Sequence, residues 1–228
     1  MPVSDLTPSA QDYLKFIWSA AEWTAQDVTI GRIAEGLGLG ASTVSEGVRK
    51  LADRGFVTHE RHGRIDLTPA GSEVAVMLVR RHRLLETFLV QVLGYRWDEV
   101  HHEAEVLEHA VSETFLARID ELLGHPVSDP HGDPIPSPDG RYRRRLDAQQ
   151  LTFAGAGNKV TIYRVSDADA PLLRYLSDLG LIPGTELLIG ERRAFSPETT
   201  VRVAGRDQDI ALGAQASDAV WVVPSGHP

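Results

Sequence analysis

The 228-residue sequence contains no cysteine. That excludes a disulfide framework, a thiolate nucleophile and any Cys-ligated zinc or iron–sulfur centre, so a bound metal must be held by His, Asp, Glu or carbonyl oxygen. Long apolar runs are also missing. No stretch approaches the roughly 20 residues needed to cross a bilayer, and Met1 to Ala10 has neither a basic start nor an apolar core. The expectation is a soluble, unexported, cytoplasmic protein with no membrane partner. Positive charge is short as well: 23 Lys and Arg stand against 32 Asp and Glu, a net charge of -9. This argues against a protein that coats nucleic acid indiscriminately and leaves room for a local basic face. There is no Gly-x-Ser-x-Gly, phosphate-binding loop or dinucleotide fingerprint. What is present is ordinary globular material, 42% hydrophobic and 24% charged, long enough for two modest domains or one domain with an appendage.

Gln11 to Glu22 sets Leu14, Ile17, Trp18 and Ala21 at helical spacing. Ile33, Ala34 and Leu37 make a compact second helix, Gly38-Leu39-Gly40 is a turn, and a third helix runs from about Ser42 to Arg54. Thr43 followed by Glu46 predicts a capping box at its start, and Gly55 marks its stop. Phe56 to Glu60 and Arg64 to Thr68 read as short strands around an Arg61-His62-Gly63 turn. This order is that of a winged helix-turn-helix. Pro69 to Leu93 predicts a long helix, Trp97 to about Ser112 another, and Glu113 to Leu123 a third, before a segment with prolines at 126, 130, 134, 136 and 138. After a basic linker at Arg141-Tyr142-Arg143-Arg144-Arg145, short strands at 159–165, 186–190, 199–203, 209–212 and 220–223 surround a helix at 171–179. They predict a small β-barrel of roughly 70 residues. The expected division is residues 1–70, 71–136, a linker at 137–150, and 151–228.

Between Arg49 and Arg64 five basic residues face two acidic ones, a local +3 in an acidic protein. That is the footprint of a phosphate-contacting face. The third helix would enter the major groove with Ser42, Thr43, Ser45 and Glu46 near base edges, Glu46 able to accept from a cytosine amine. Arg49, Lys50, Arg61 and Arg64 would lie on phosphates. The plainer reading is an exposed, solvated helix face.

A second constellation has the opposite sign. His101, Glu105, Glu108 and His109 fall at i, i+4, i+7 and i+8, which on one helix is a single face able to bind metal, and His82 and Glu86 repeat the i, i+4 spacing on the preceding helix. From Arg96 to Glu121 eight acidic residues oppose two arginines, a local -6. A solvated acidic stripe is the ordinary alternative. Zinc-peptidase chemistry is disfavoured, because after His102-Glu103 the motif needs a second His at Val106. A donor set of nitrogen and carboxylate oxygen suits a six-coordinate Mn(II) or Fe(II).

Together these residues resemble the DtxR family of metal-activated transcriptional repressors, and within it the manganese-sensing MntR branch of actinobacteria. The resemblance is carried by Gln11-Asp12-Tyr13-Leu14-Lys15, Ser42-Thr43-Val44-Ser45-Glu46, Arg81-His82-Arg83-Leu84-Leu85-Glu86, the stretch from Val100 to His109, and Asp133-Pro134-Ile135-Pro136. It covers residues 8 to 136, and more loosely an SH3-like (FeoA-like) C-terminal domain through Leu172-Leu173-Arg174-Tyr175 and Leu181-Ile182-Pro183-Gly184. It implies two metal sites per subunit. Asp12, Glu105, Glu108 and His109 would form the regulatory one. His82, Glu86 and His101 would form an ancillary one, with Asp167 and Asp169 as candidate contributions from the C-terminal domain and an apolar Leu172 where a second side chain is expected. The iron-sensing branch places Met and Cys where this chain has Asp12 and Glu105, and carboxylates in place of sulfur move the preference toward Mn(II). Short members of the manganese branch carry a further Glu where Lys15 stands.

The reading is then a homodimeric, Mn(II)-activated repressor of manganese-uptake genes, its two recognition helices about 34 Å apart on a palindromic operator. Three rivals remain open: an Fe(II)-dependent iron-uptake regulator, a metal-dependent hydrolase using His82, Glu86, His101 and Glu105 to activate water, and a winged-helix binder indifferent to metal.

Overall fold

The computed structural model describes residues 5–23, 26–60, 63–141, 145–191 and 198–226. The chain divides into two compact units. The first comprises Met1–His82, Glu108–Val111 and Pro136–Tyr142, the second Arg83–Leu107, Ser112–Ile135 and Arg143–Pro228.

The first unit opens with α1 (Pro8–Trp23), α2 (Ile30–Gly36) and α3 (Ala41–Asp53), followed by strands β1 (Val57–His59) and β2 (Ile65–Leu67). Tyr13, Leu14 and Ile17 of α1 and Val44, Val48 and Leu51 of α3 share one apolar core with Ile33, Phe56 and Ile65. The two strands pair antiparallel, Val57 opposite Leu67, and Ile65 N–H donates to the Val28 carbonyl at 2.9 Å, fastening the hairpin to the helices. The expected capping box is absent. Helix α3 begins at Ala41 with Gly40 as its cap and no side-chain cap hydrogen bond, and Glu46 turns outward to Lys50 at 2.8 Å instead. Gly47 has a packing reason: a Cβ there would lie 2.2 Å from the Tyr13 ring, so only glycine lets α3 seat this closely on α1.

Helix α4 (Pro69–Gln91) begins in the first unit and ends in the second. The second unit adds α5 (Val100–Leu107) and α6 (Glu113–Leu122), the latter capped by Ser112, whose oxygen accepts from Phe115 N–H. One six-stranded antiparallel sheet follows: β3 (Gln149–Gln150), β4 (Lys159–Val165), β5 (Glu186–Ile189), β6 (Thr199–Val203), β7 (Asp209–Leu212) and β8 (Val220–Pro224), in the order β3-β8-β4-β5-β6-β7. Helices α7 (Ala170–Asp178) and α8 (Ala214–Asp218) accompany it. Alternate residues Val160 and Ile162 of β4, Leu187 and Ile189 of β5, and Val201 and Val203 of β6 point into a second apolar core. The register of β4 on β8 shifts between Ile162 and Arg164.

Candidate metal centres and DNA-reading face

Helix α3 separates cleanly into two faces. Val44, Val48 and Leu51 are buried, whereas Ser42, Thr43, Ser45, Glu46, Arg49 and Lys50 are all exposed. Arg49 lies 3.6 Å from Asp53, and Lys50 holds the Glu46 carboxylate below its ordinary pKa through a hydrogen bond. Just before β2, the Arg64 guanidinium is engaged by Asp66 at 2.7 and 3.0 Å and lies 3.3 Å from Asp27. Phosphate contact by Arg64 would have to compete with these carboxylates. Arg61 and His62 lie outside the described residues.

Helix α1 presents Asp12 and Lys15 on the face opposite its core residues, toward the Glu108–Val111 turn of the same unit. Asp12, Glu108 and His109 each bring one ligand-type atom within 4.8 Å of the others. His109 Nε2 lies 3.0 Å from Asp12 Oδ1 and 3.9 Å from Glu108 Oε1. Asp12, Glu108 and His109 would together hold a divalent ion, which would supply positive charge between the two carboxylates. The other histidine nitrogen, Nδ1, lies 3.2 Å from Gln11 Oε1, and Gln11 Nε2 in turn donates to the Leu6 carbonyl at 3.0 Å. Gln11 is thereby held with its oxygen toward Nδ1, an arrangement that would leave Nε2 for an ion on the Asp12 side. This is the usual partner arrangement of a metal-binding histidine.

Glu108 is almost wholly buried. Its Oε2 lies 2.6 Å from His82 Nδ1, Lys15 Nζ donates to Oε1 at 2.5 Å, and Arg81 donates to its backbone carbonyl at 2.9 Å. Burial alone would raise its pKa. The hydrogen bond with His82 and the charges of His82 and Lys15 outweigh burial and hold it below the ordinary carboxylate value.

In the second unit, Glu86 on α4 is fully buried and has a partner on each side. Its Oε1 lies 3.3 Å from His101 Nδ1, which is also 3.1 Å from Asp167 Oδ2. Burial opposes protonation of His101, but hydrogen bonds with Asp167, Glu105 and Glu86 raise its pKa far above the imidazole range, and His101 correspondingly depresses Asp167 against the effect of burial. On its other side, Glu86 Oε2 is 3.8 Å from His131 Nδ1. Glu86, Asp129 and His131 form a further group with ligand atoms within 4.8 Å of one another. His131 donates through Nε2 to the Trp97 carbonyl at 2.7 Å, leaving a buried Nδ1 with no hydrogen-bond partner among the described residues. Despite burial, Glu86 and the charges of Asp129 and Asp167 push His131 up to about 10. Around it, Arg83 lies 3.7 Å from Asp129 and from Asp133 and Arg164 Nε 2.8 Å from Asp133, whereas Glu86 and Asp167 face His131 and His101. Two more carboxylates than guanidiniums is the balance that two protonated histidines or one divalent cation would neutralise.

The turn Asp129–Asp133 owes its shape to Asp129, whose Oδ1 accepts from the N–H of His131 and of Asp133, both at 2.9 Å. Gly132 adopts φ +91, and a Cβ there would lie 2.1 Å from the Tyr163 carbonyl. The turn can therefore press against β4, where Val165 N–H donates to the His131 carbonyl at 2.9 Å.

Several expectations change. His101, Glu105, Glu108 and His109 do not share one helix face, because α5 ends at Leu107 and the last two sit in the turn beyond it. Glu105 belongs to the second unit, where its carboxylate lies 3.5 Å from His101 Nε2. His82 sits four residues before Glu86 on α4 and pairs with Glu108. Of the C-terminal candidates, Asp167 faces His101, while Asp169 caps α7 by accepting from Leu172 N–H at 3.0 Å. Leu172 packs on the second core. Gln11, Asp129 and His131 were not read as site residues. The available signal was an Asp and a His two residues apart in a Pro- and Gly-punctuated turn, Asp129-Pro130-His131-Gly132-Asp133.

Comparison with known proteins agrees along the whole chain. Residues 5–64 match the family described as iron dependent repressor, N-terminal DNA binding domain, residues 68–137 the iron dependent repressor, metal binding and dimerisation domain, and residues 149–224 the FeoA domain. The iron-dependent repressor IdeR of Mycobacterium tuberculosis is 32% identical over 200 residues, covering 82% of this chain and 86% of the relative. The chain belongs to the iron-dependent repressor (DtxR) family. It is accordingly a metal-dependent transcriptional repressor and not an enzyme, which removes the hydrolase reading. The diphtheria toxin repressor of Corynebacterium diphtheriae is 28% identical over 213 residues, 93% of this repressor and 85% of the relative. A solved manganese-dependent transcriptional repressor in complex with manganese superposes with a TM-score of 0.90 at 50% identity, covering 94% of this repressor and 99% of that chain. Among the described residues of the repressor, no helix is long and apolar enough to cross a membrane.

Proposed function

We propose that this repressor is activated by Mn(II), binds a palindromic operator as a homodimer and silences genes for manganese uptake. The observation that carries the reading is the donor set Asp12, Glu108 and His109, built only from oxygen and nitrogen and completed by the orienting bond from Gln11. Hard and borderline divalent ions suit such a set, and no sulfur ligand is present to favour softer ones. Glu105, which the family resemblance also implies as a ligand, belongs to the second unit and lies 3.5 Å from His101 Nε2. The second centre uses Glu86, His101 and Asp167, with His82 one helical turn along α4 and with Asp129 and His131 on the far side of Glu86.

When bound, the ion supplies a divalent charge that joins α1 to the turn after α5. Asp12 lies beside Tyr13, whose ring is seated on Gly47 of α3, so whatever orients α1 orients the exposed face of α3. Ser42, Thr43, Ser45 and Glu46 would meet base edges, and Arg49, Lys50, Arg61 and Arg64 phosphates. The working parts of this reading are residues 1–70 for DNA, 71–136 for metal and dimerisation, and 151–228 as the FeoA-like domain after a linker at 137–150.

Fluorescence anisotropy on genomic fragments, with Mn(II), with anaerobic Fe(II) and with chelator, tests it. Tight binding to a discrete palindrome only with Mn(II) is expected. The iron-dependent relatives motivate the second reading, and equal activation by Fe(II) would support it. Binding indifferent to chelator would overturn both.

A further inference from the structure

Lys15 stands one helical turn after Asp12 on α1 and closes the same group of side chains. This inference rests on reading Asp12, Glu108 and His109 as the activating metal centre. An ionised carboxylate as buried as Glu108, with 1% of its side chain exposed, needs a cation beside it. Lys15, itself 13% exposed, provides one, with Nζ 2.5 Å from Glu108 Oε1 and 3.4 Å from His82 Nδ1. Oε1 is also the Glu108 oxygen 3.9 Å from His109 Nε2. The ammonium therefore engages the very oxygen that faces the histidine donor.

We infer that Lys15 is an internal competitor for the metal, neutralising Glu108 in the ion-free chain and setting the ion concentration at which the centre fills. The carboxylates of Asp12 and Glu108 bring two negative charges, and Lys15 cancels one of them, which weakens attraction for any divalent ion. The same bond ties α1 to the turn after α5 when no ion is present, so the ion exchanges one cationic link for another of higher charge and fixed geometry.

The test is a Mn(II) titration of the full chain, read from the paramagnetic resonance signal of free aqueous Mn(II), in an E86Q background that silences the second centre. K15M and K15Q should bind Mn(II) about tenfold more tightly than the parent, and K15R, which keeps the charge, within about twofold of it. In chelator, K15M should also melt at lower temperature than K15R. Unchanged or weaker binding by K15M and K15Q overturns the inference, as does equal tightening by K15R. H109A separates the two readings. If it leaves Mn(II) binding intact, the metal centre itself is misassigned; if it abolishes binding while the Lys15 variants bind like the parent, only the role of Lys15 fails.

Discussion

A histidine binds a metal through one nitrogen, and the hydrogen bond made by the other decides which. For His109 that decision belongs to Gln11, whose own amide is anchored on Leu6. Gln11→Leu keeps the bulk and removes the acceptor, and should weaken Mn(II) binding about 10- to 100-fold without unfolding the first unit, as titration and circular dichroism would show. Asp12, Glu108 and His109 stand out in the sequence because they fall in stretches that resemble a family pattern. Asp129 and His131 were not, since a five-residue turn has no periodicity to read. Asp98 gives a prediction of another kind. Burial would raise its pKa, but hydrogen bonds from Arg174 and Arg96 hold it below the ordinary value. A depressed carboxylate stabilises the fold above its unfolded pKa and loses that contribution as pH falls through the folded one. Asp98→Asn should therefore cost about 1–3 kcal/mol at neutral pH, and its melting curve should converge on the parent's as pH falls through the depressed folded pKa.

Element boundaries mattered more than element identities. Periodicity runs unbroken through Glu105, Glu108 and His109, yet α5 stops at Leu107. Side-chain spacing cannot report that the backbone has left the helix when the next residues are claimed by Lys15, His82, Gln11 and Asp12. Likewise Thr43 and Glu46 spell a capping box, but Gly40 starts α3 one turn earlier and leaves both side chains on its outer face. That face makes Arg49 a phosphate contact in the proposed reading. Arg49→Ala should lower operator affinity and reduce the slope of log affinity against log salt by about 0.9, measured by anisotropy across salt concentrations. Gly132 is the matching test in the second unit. Gly132→Ala meets both a left-handed backbone and the Tyr163 carbonyl, and should destabilise by about 2 kcal/mol or more while sparing the first centre. Thermal melting read beside Mn(II) stoichiometry checks both halves of that statement.

At the scale of the whole molecule, the sequence separated a helical N-terminal part from a strand-rich C-terminal part correctly, because periods of 3.6 and 2 differ sharply. It could not assign the middle helices, since α4 begins in one unit and ends in the other, and residues 108–111 return to the first. Each unit has its own apolar core and its own group of metal-ligand residues. Hydrogen exchange should register this. His109→Ala should remove Mn(II)-dependent protection from amides of α1 and the turn after α5, and Glu86→Gln from those of α5 and residues 129–133. Helix α3 carries the last consequence. Its buried stripe, with Gly47 against Tyr13, packs on the helix that bears Asp12, while the six outward positions are exposed. Drift at 42, 43, 45, 46, 49 and 50 can therefore retarget the protein to new operators while leaving the metal threshold alone, so the genes under control and the signal that controls them evolve, or can be engineered, separately.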